Sequence, residues 1–313
     1  MVLPKQPGHT TNAENSQVFR REGYRAKPTR RKCAVTLPKI GSLIAAHASR
    51  ASLPADGVKT DGSKTMSEQS ALANPKKEET TMIVEPKVTL LAHTVINDDV
   101  VAELMDIQPQ STDAETLVTF AGRSCYESWH RPRPETYRDK DYIGRTIFEQ
   151  QHGSILEHAT ATLYFTGVSR AFLTELTRHR HLSFSVRSQR FVNEAGANIV
   201  LPPIYRSDNA KPGTALAKAA ELLEGIAQDL DSHYEGLVAE AAEDGHGRKQ
   251  AREAARSILP NMTETKMVVT GNLRAWLQVI ERRTAPDADA ELQEVMGMAR
   301  DVLKPLAPSI FKD

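Results

Sequence analysis

From Val84 onward, strand-like and helix-like stretches are interleaved without a regular β–α–β rhythm, and that irregular order constrains the fold more than any other feature. Three stretches read as strands: "KVTLLAHTV" (87–95), the alternating "ATATLYFTGVS" (159–169) and "ETKMVVTGN" (264–272). "ANIVLPP" (197–203) reads as a fourth, shorter one. Helical spacing marks "DAETLVTFAGRSCYES" (113–128) behind a capping Asp113, and "YIGRTIFEQQHG" (142–153), stopped by Gly153. "SRAFLTELTRH" (169–179) has Ser169 as N-cap and Phe172, Leu173 and Leu176 on one face. Further helices are predicted over about 212–243, over 247–259 up to Pro260, over "LRAWLQVIERR" (273–283) and over 288–304. A doubly wound fold needs regular alternation, so the order favours α+β.

Residues 1 to about 83 differ. They are rich in Pro, Ser, Thr, Lys and Gly, show no sustained apolar period, and read as a disordered basic extension. Such a stretch cannot bury enough area to offset roughly 1–2 kcal/mol of backbone entropy per residue. One reading starts the native product at an internal methionine, Met66 or Met82, with Met66 favoured; the rival is a basic tail with its own job. The formal net charge of zero hides this asymmetry, because residues 1–81 hold 14 basic and 7 acidic groups and the rest hold 26 and 33. No run is long and apolar enough for a membrane span or a secretory leader. Two distant cysteines, Cys33 and Cys125, make no disulfide framework and suit a reducing cytoplasm.

Against the mildly acidic body, "RHRHLSFSVRSQR" (178–190) stands out with four arginines, two histidines, three serines and no acid. Arg178 and Arg180 at a helix end are eased by the macrodipole; Arg187 and Arg190 lie beyond it. The segment has no lysine, whereas solvated basic faces use lysine freely. Arginine is the side chain whose planar fork matches phosphate oxygens. A solvated cationic loop is the bland alternative. A nucleic-acid surface fits poorly with 5% aromatic residues and a net acidic body. A phosphorylated small molecule fits better, and the missing acid then means that ligands bring the anions.

The pattern Arg178-His179-Arg180, seven positions, then Ser188-Gln189-Arg190 resembles the signature of the flavin-dependent thymidylate synthases. "FAGRSCYESW" (120–129), "HGSILEHA" (152–159) and "RKQAREAARSILPNMTETKMVVTGNLRAW" (248–276) agree with the family in order, so the resemblance covers 84–313. It implies an α+β fold with a central, mostly antiparallel sheet flanked by long helices, assembled as a homotetramer with shared active sites. It implies the reductive methylation of dUMP to dTMP, with methylenetetrahydrofolate as carbon donor and NADPH-reduced FAD as hydride donor.

Carried over residue by residue, the resemblance assigns FAD to Arg178, His179, Arg180, Ser154, Asn272, Leu273 and Arg274, with His152 beside the flavin. It assigns dUMP to Glu175, Arg178, Arg187, Ser188, Gln189, Arg190 and Arg256. Arg283 would lie close to the uracil and stabilise negative charge as N3 ionises, which makes C5 nucleophilic. No protein nucleophile is needed, because the cofactor carries the redox chemistry. Three positions depart from the family: Val186 replaces a polar residue, Phe191 a tyrosine and Gln278 a histidine. A non-catalytic nucleotide- or RNA-binding protein using the same arginines is the alternative of a different class.

Other candidates have bland readings. Cys125 lacks a neighbouring base and reads as a small core residue. Trp276 with Val269 and Ile280 reads as core. His152/His158 and His179/His181 have no metal-ligand spacing, so no metal site is expected. Ser188 lacks a dedicated base, which favours a hydrogen-bonding role over a nucleophilic one.

Overall fold

A computed structural model of the 313-residue chain describes residues 82–105, 111–131, 133–206 and 209–312. The expectations for the basic extension up to residue 81, for Met66 as a start and for Cys33 lie outside them. Among the described residues one four-stranded sheet is formed, by β1 (Lys87–His93), β2 (Thr160–Ser169), β3 (Ser183–Val186) and β4 (Glu264–Asn272). The order is β1-β2-β4-β3 and every pairing is antiparallel. The helices are α1 (Asp98–Met105), α2 (Asp113–Ser124), α3 (Asp139–Ile143), α4 (Arg170–Leu176), α5 (Ala215–Glu243), α6 (Arg248–Ala255), α7 (Leu273–Arg283) and α8 (Ala290–Leu303). The class is α+β, as the irregular order predicts.

The sheet's inner face follows from alternation. Leu163 and Phe165 of β2 lie opposite Val269 and Met267 of β4, and all four are buried. Phe165 packs against Phe172 of α4 and Trp276 of α7, with ring centroids 6.0 and 6.4 Å apart. Trp276 is therefore core, and its only polar atom, Nε1, donates to the Ala161 carbonyl at 3.1 Å. A bulge interrupts β2 between Phe165 and Val168. Gly167 there has φ +64, and a Cβ on it would lie 1.9 Å from the Glu85 carbonyl oxygen. Only glycine fits that close approach.

Caps fix the entries of the helices. Ser169 accepts from the Phe172 amide at 3.0 Å, as expected, and donates to the buried Glu291 at 2.5 Å. Asn272 accepts from the Ala275 amide at 2.8 Å and starts α7 directly at the end of β4. The cap of α2 is Thr112, which accepts from the Glu115 amide at 3.4 Å, and Asp113 sits in the first turn.

Three predicted elements differ. The helix expected over 142–153 is α3 followed by a π-helical turn, Gly144–Glu149; Gln151, at φ 58, ends it, and Gly153 opens a 3-10 turn to Glu157. "ANIVLPP" forms only bridges from Ile199 to Ile83 and Thr263, because Pro202 and Pro203 have no amide to donate to a ladder. The helix expected over 247–259 is α6, with a 3-10 turn over Arg256–Ile258. β3 and α1 are additional. β3 lies inside the arginine-rich segment, with Phe184 and Val186 packed against the core and Ser183 and Ser185 exposed.

Candidate functional site

Strand register brings the predicted cofactor residues to one end of the sheet. Thr160 pairs with Asn272, and the Leu273 amide donates to the Ala159 carbonyl at 2.9 Å. The turn carrying His152 and Ser154 therefore lies against the start of α7. Arg274 crosses that turn: a Cβ on Gly153 would sit 3.4 Å from its Nε, and its guanidinium pairs with Glu157. Ser183 pairs with Thr270, so the Arg178–Arg180 turn just before β3 reaches the same end. His152, Ser154, Arg178 and Arg180 are exposed there. Leu273 is 1% exposed in the core, which leaves only its backbone for a ligand.

Arg283, the last residue of α7, packs against the C-terminal end of α4. Its Nε donates to His179 Nε2 at 2.8 Å, and its Nη2 lies 3.2 Å from both the carbonyl and the carboxylate of Glu175. Its side chain is only 14% exposed. Arg178 approaches the same carboxylate from solvent, at 3.8 Å. Burial holds the His179 imidazole below its ordinary value, helped by the charges of Arg283, Arg282 and Arg178 and opposed by Glu175.

A second group forms beyond β3. The Arg187 amide donates to the Lys266 carbonyl at 2.9 Å, and its guanidinium lies 3.3 Å from Glu194, whose side chain is 1% exposed. Burial raises the Glu194 carboxyl; Arg187 and then Arg170 draw it back down. Ser188 accepts from the Arg190 amide at 3.4 Å, Gln189 is buried, and Arg190 pairs with Glu253 of α6 at 2.8 Å. Arg252 donates to the Phe191 carbonyl at 2.6 Å and ties this stretch to α6. Arg256, half-buried at the end of α6, exerts its charge on Arg170.

Arg170 is the residue that sequence reasoning missed. It is half-buried in the first turn of α4, and no carboxylate approaches it within 4 Å among the described residues. A signal existed: a cation in the first turn opposes the helix dipole, and such a local conflict is expected at functional or strained positions.

The inference that ligands bring all the anions needs correction. Acids come from elsewhere in the chain: Glu175 serves Arg178 and Arg283, Glu194 serves Arg187, Glu253 serves Arg190 and Glu157 serves Arg274. Arg170, Arg180 and Arg256 have no carboxylate within 4 Å among the described residues. Cys125 is exposed beyond the last turn of α2, where its thiol donates to the Ala121 carbonyl at 3.3 Å, so it is not a core residue. Val186 is apolar because it points at the core, Phe191 lies exposed under Lys249, and Gln278 is exposed on α7.

Residues 107–309 match the family described as thymidylate synthase complementing protein. A relative from Mycobacterium phage L5, a probable flavin-dependent thymidylate synthase, is 46% identical over 201 residues, 64% of this chain and 81% of that protein. The flavin-dependent thymidylate synthase of Mycobacteroides abscessus is 42% identical over 231 residues, 74% of this chain and 90% of that one. The chain belongs to the flavin-dependent thymidylate synthase family. Solved structures agree on the fold. Thymidylate synthase X from Helicobacter pylori, with FAD and dUMP, superposes with a TM-score of 0.50 at 21% identity, over 72% of this chain and 98% of that one. The UMP/dUMP methylase PolB from Streptomyces cacaoi gives 0.54 at 22%, over 74% and 95%. No helix among the described residues is long and apolar enough to cross a membrane.

Proposed function

We propose that this chain is a thymidylate synthase that methylates dUMP to dTMP, with methylenetetrahydrofolate as carbon donor and NADPH as reductant of bound FAD. One observation carries the reading: the signature segment is cut by β3 into two cationic stations, Arg178–Arg180 at one end and Arg187–Arg190 at the other. The first station suits the pyrophosphate of a dinucleotide. Arg178 and Arg180 are exposed, Ser154 offers a hydroxyl from the facing turn, and Arg180 has no carboxylate within 4 Å among the described residues. FAD, when bound, supplies the hydride. Arg178, His179, Arg180 and Ser154 hold it, with Asn272, Arg274 and the Leu273 backbone along one side and His152 nearby.

Glu175, Arg178, Arg187, Ser188, Gln189, Arg190 and Arg256 form the dUMP station. Arg170, beside Arg256, adds a cation suited to the phosphate. Arg283 stabilises the anion formed when the pyrimidine N3 loses its proton, and this makes C5 the nucleophile. No protein nucleophile takes part. The active form is a homotetramer in the cytoplasm, with each site drawing on more than one chain, and neither nucleic acid nor membrane is a partner. Flavin absorbance near one FAD per subunit, with dTMP formed from dUMP, is the expected result. A colourless protein that binds no added FAD would instead favour a non-catalytic nucleotide- or RNA-binding protein.

A further inference from the structure

The His179 ring sits where its protonation state decides what Arg283 can do. Arginine only donates hydrogen bonds, so His179 Nε2, 2.8 Å from Arg283 Nε, must accept with a lone pair. A neutral ring then carries its proton on Nδ1. Nε and Nη2 of Arg283 are both engaged, by His179 and Glu175, and Nη1 has no protein partner among the described residues. We propose that neutral His179 is the positioning residue for Arg283, holding one edge of the guanidinium so that Nη1 is left to the substrate. This rests on the reading that Arg283 stabilises the pyrimidine anion.

The surroundings keep the ring in the required state. On its own side stand Glu175 and Arg178; from α7 come Arg282 and Arg283. Three cations and burial oppose ring protonation, and one carboxylate favours it. A proton arriving at Nε2 would turn the acceptor into a donor and set two cations face to face. The acceptor bond would break and Arg283 would be freed from its seat. Turnover should therefore fall as pH drops through the His179 value, which lies below about 6.5, the ordinary imidazole value.

The test uses the FAD-loaded enzyme. Wild type should show an acid limb in the pH profile of kcat below about pH 6.5. His179→Gln keeps an acceptor that does not titrate, so the turnover measured in its FAD-loaded form should lack the limb. His179→Leu has no acceptor and should lose about 10–100-fold in kcat, the worth of a hydrogen bond to a charged group. Arg282→Ala, an exposed change that removes one repelling cation, should move the limb to higher pH at low salt. It keeps the test open if neither His179 variant holds FAD. An unaltered limb in His179→Gln or in Arg282→Ala overturns the positioning role. Arg283→Ala separates the two readings: near-normal turnover in it removes the role of Arg283 and this inference together, whereas loss of dTMP formation with an unaltered limb in His179→Gln removes only the inference.

Discussion

Arg187→Met tests whether Arg187 serves the fold or the nucleotide. Its guanidinium lies 3.3 Å from Glu194, and the side chains are 22% and 1% exposed. Removing one partner of a buried pair costs about 3–5 kcal/mol. Protonation of Glu194 limits the loss. Holding a proton at pH 7 on a carboxyl whose ordinary value is 4.5 costs about 3.4 kcal/mol, at about 1.36 kcal/mol per pH unit. The expected loss at pH 7 is therefore about 3 kcal/mol, or about 6–12 °C in melting temperature for a domain of this size. Burial raises the folded-state Glu194 carboxyl above its unfolded value, and the variant has lost the largest influence lowering it. Between the two values the folded state binds more protons, so its relative stability rises as pH falls. At pH 5 the proton costs only about 0.7 kcal/mol, and the gap to wild type should shrink accordingly. Urea unfolding at a fixed protein concentration, at pH 7 and pH 5, measures both, and adding Glu194→Gln should restore most of the loss at pH 7. A variant within 1 kcal/mol of wild type at pH 7, or a deficit equal at both pH values, would refute the reasoning. Normal stability with weakened dUMP binding would make Arg187 a ligand residue alone.

Two further substitutions probe the same machinery and its frame. Arg190→Ala should change stability by no more than about 1 kcal/mol, because its pair with Glu253 is 40% and 46% exposed. The same variant should weaken dUMP binding by about 10–100-fold, as calorimetry would show. Gly167→Ala sets a Cβ against the Glu85 carbonyl at a positive φ, and the folded yield and melting temperature should both fall. Wild-type stability in that variant would mean that the Glu85 stretch moves aside.

Much of the fold was legible because β2, β4, α4 and α7 combine strong periods with local caps at Ser169 and Asn272. β3 was hidden. Its inward pair, Phe184 and Val186, is too short an alternation to stand out among the flanking arginines and serines. The cap of α2 was misread by one residue, because aspartate and threonine both serve and only the backbone conformation of Thr112 decides. In the site, the signature named the arginines but not their counter-ions. Glu253 is 63 residues from Arg190, and Arg283 is 104 from His179. Such pairings belong to tertiary structure, and no local pattern carries them.

The division of the signature by β3 has a consequence for assembly. Four extended residues span about 13 Å, so one ligand pocket cannot use both stations of one chain at close range. We propose that a flavin on one station meets a nucleotide held on the other station of a different chain. Arg178→Ala and Arg190→Ala should each be inactive alone, one for want of flavin and one for want of nucleotide. In hybrid assemblies made by mixing, unfolding and refolding the two, a site pairing the sound flavin station of one chain with the sound nucleotide station of another escapes both lesions. Random pairing makes about one quarter of sites sound in this way, on the symmetry of a homo-oligomer. Recovery of activity towards that fraction requires sites shared between chains. If both stations of a site came from one chain, every site would carry one lesion, and the hybrids would stay as inactive as their parents.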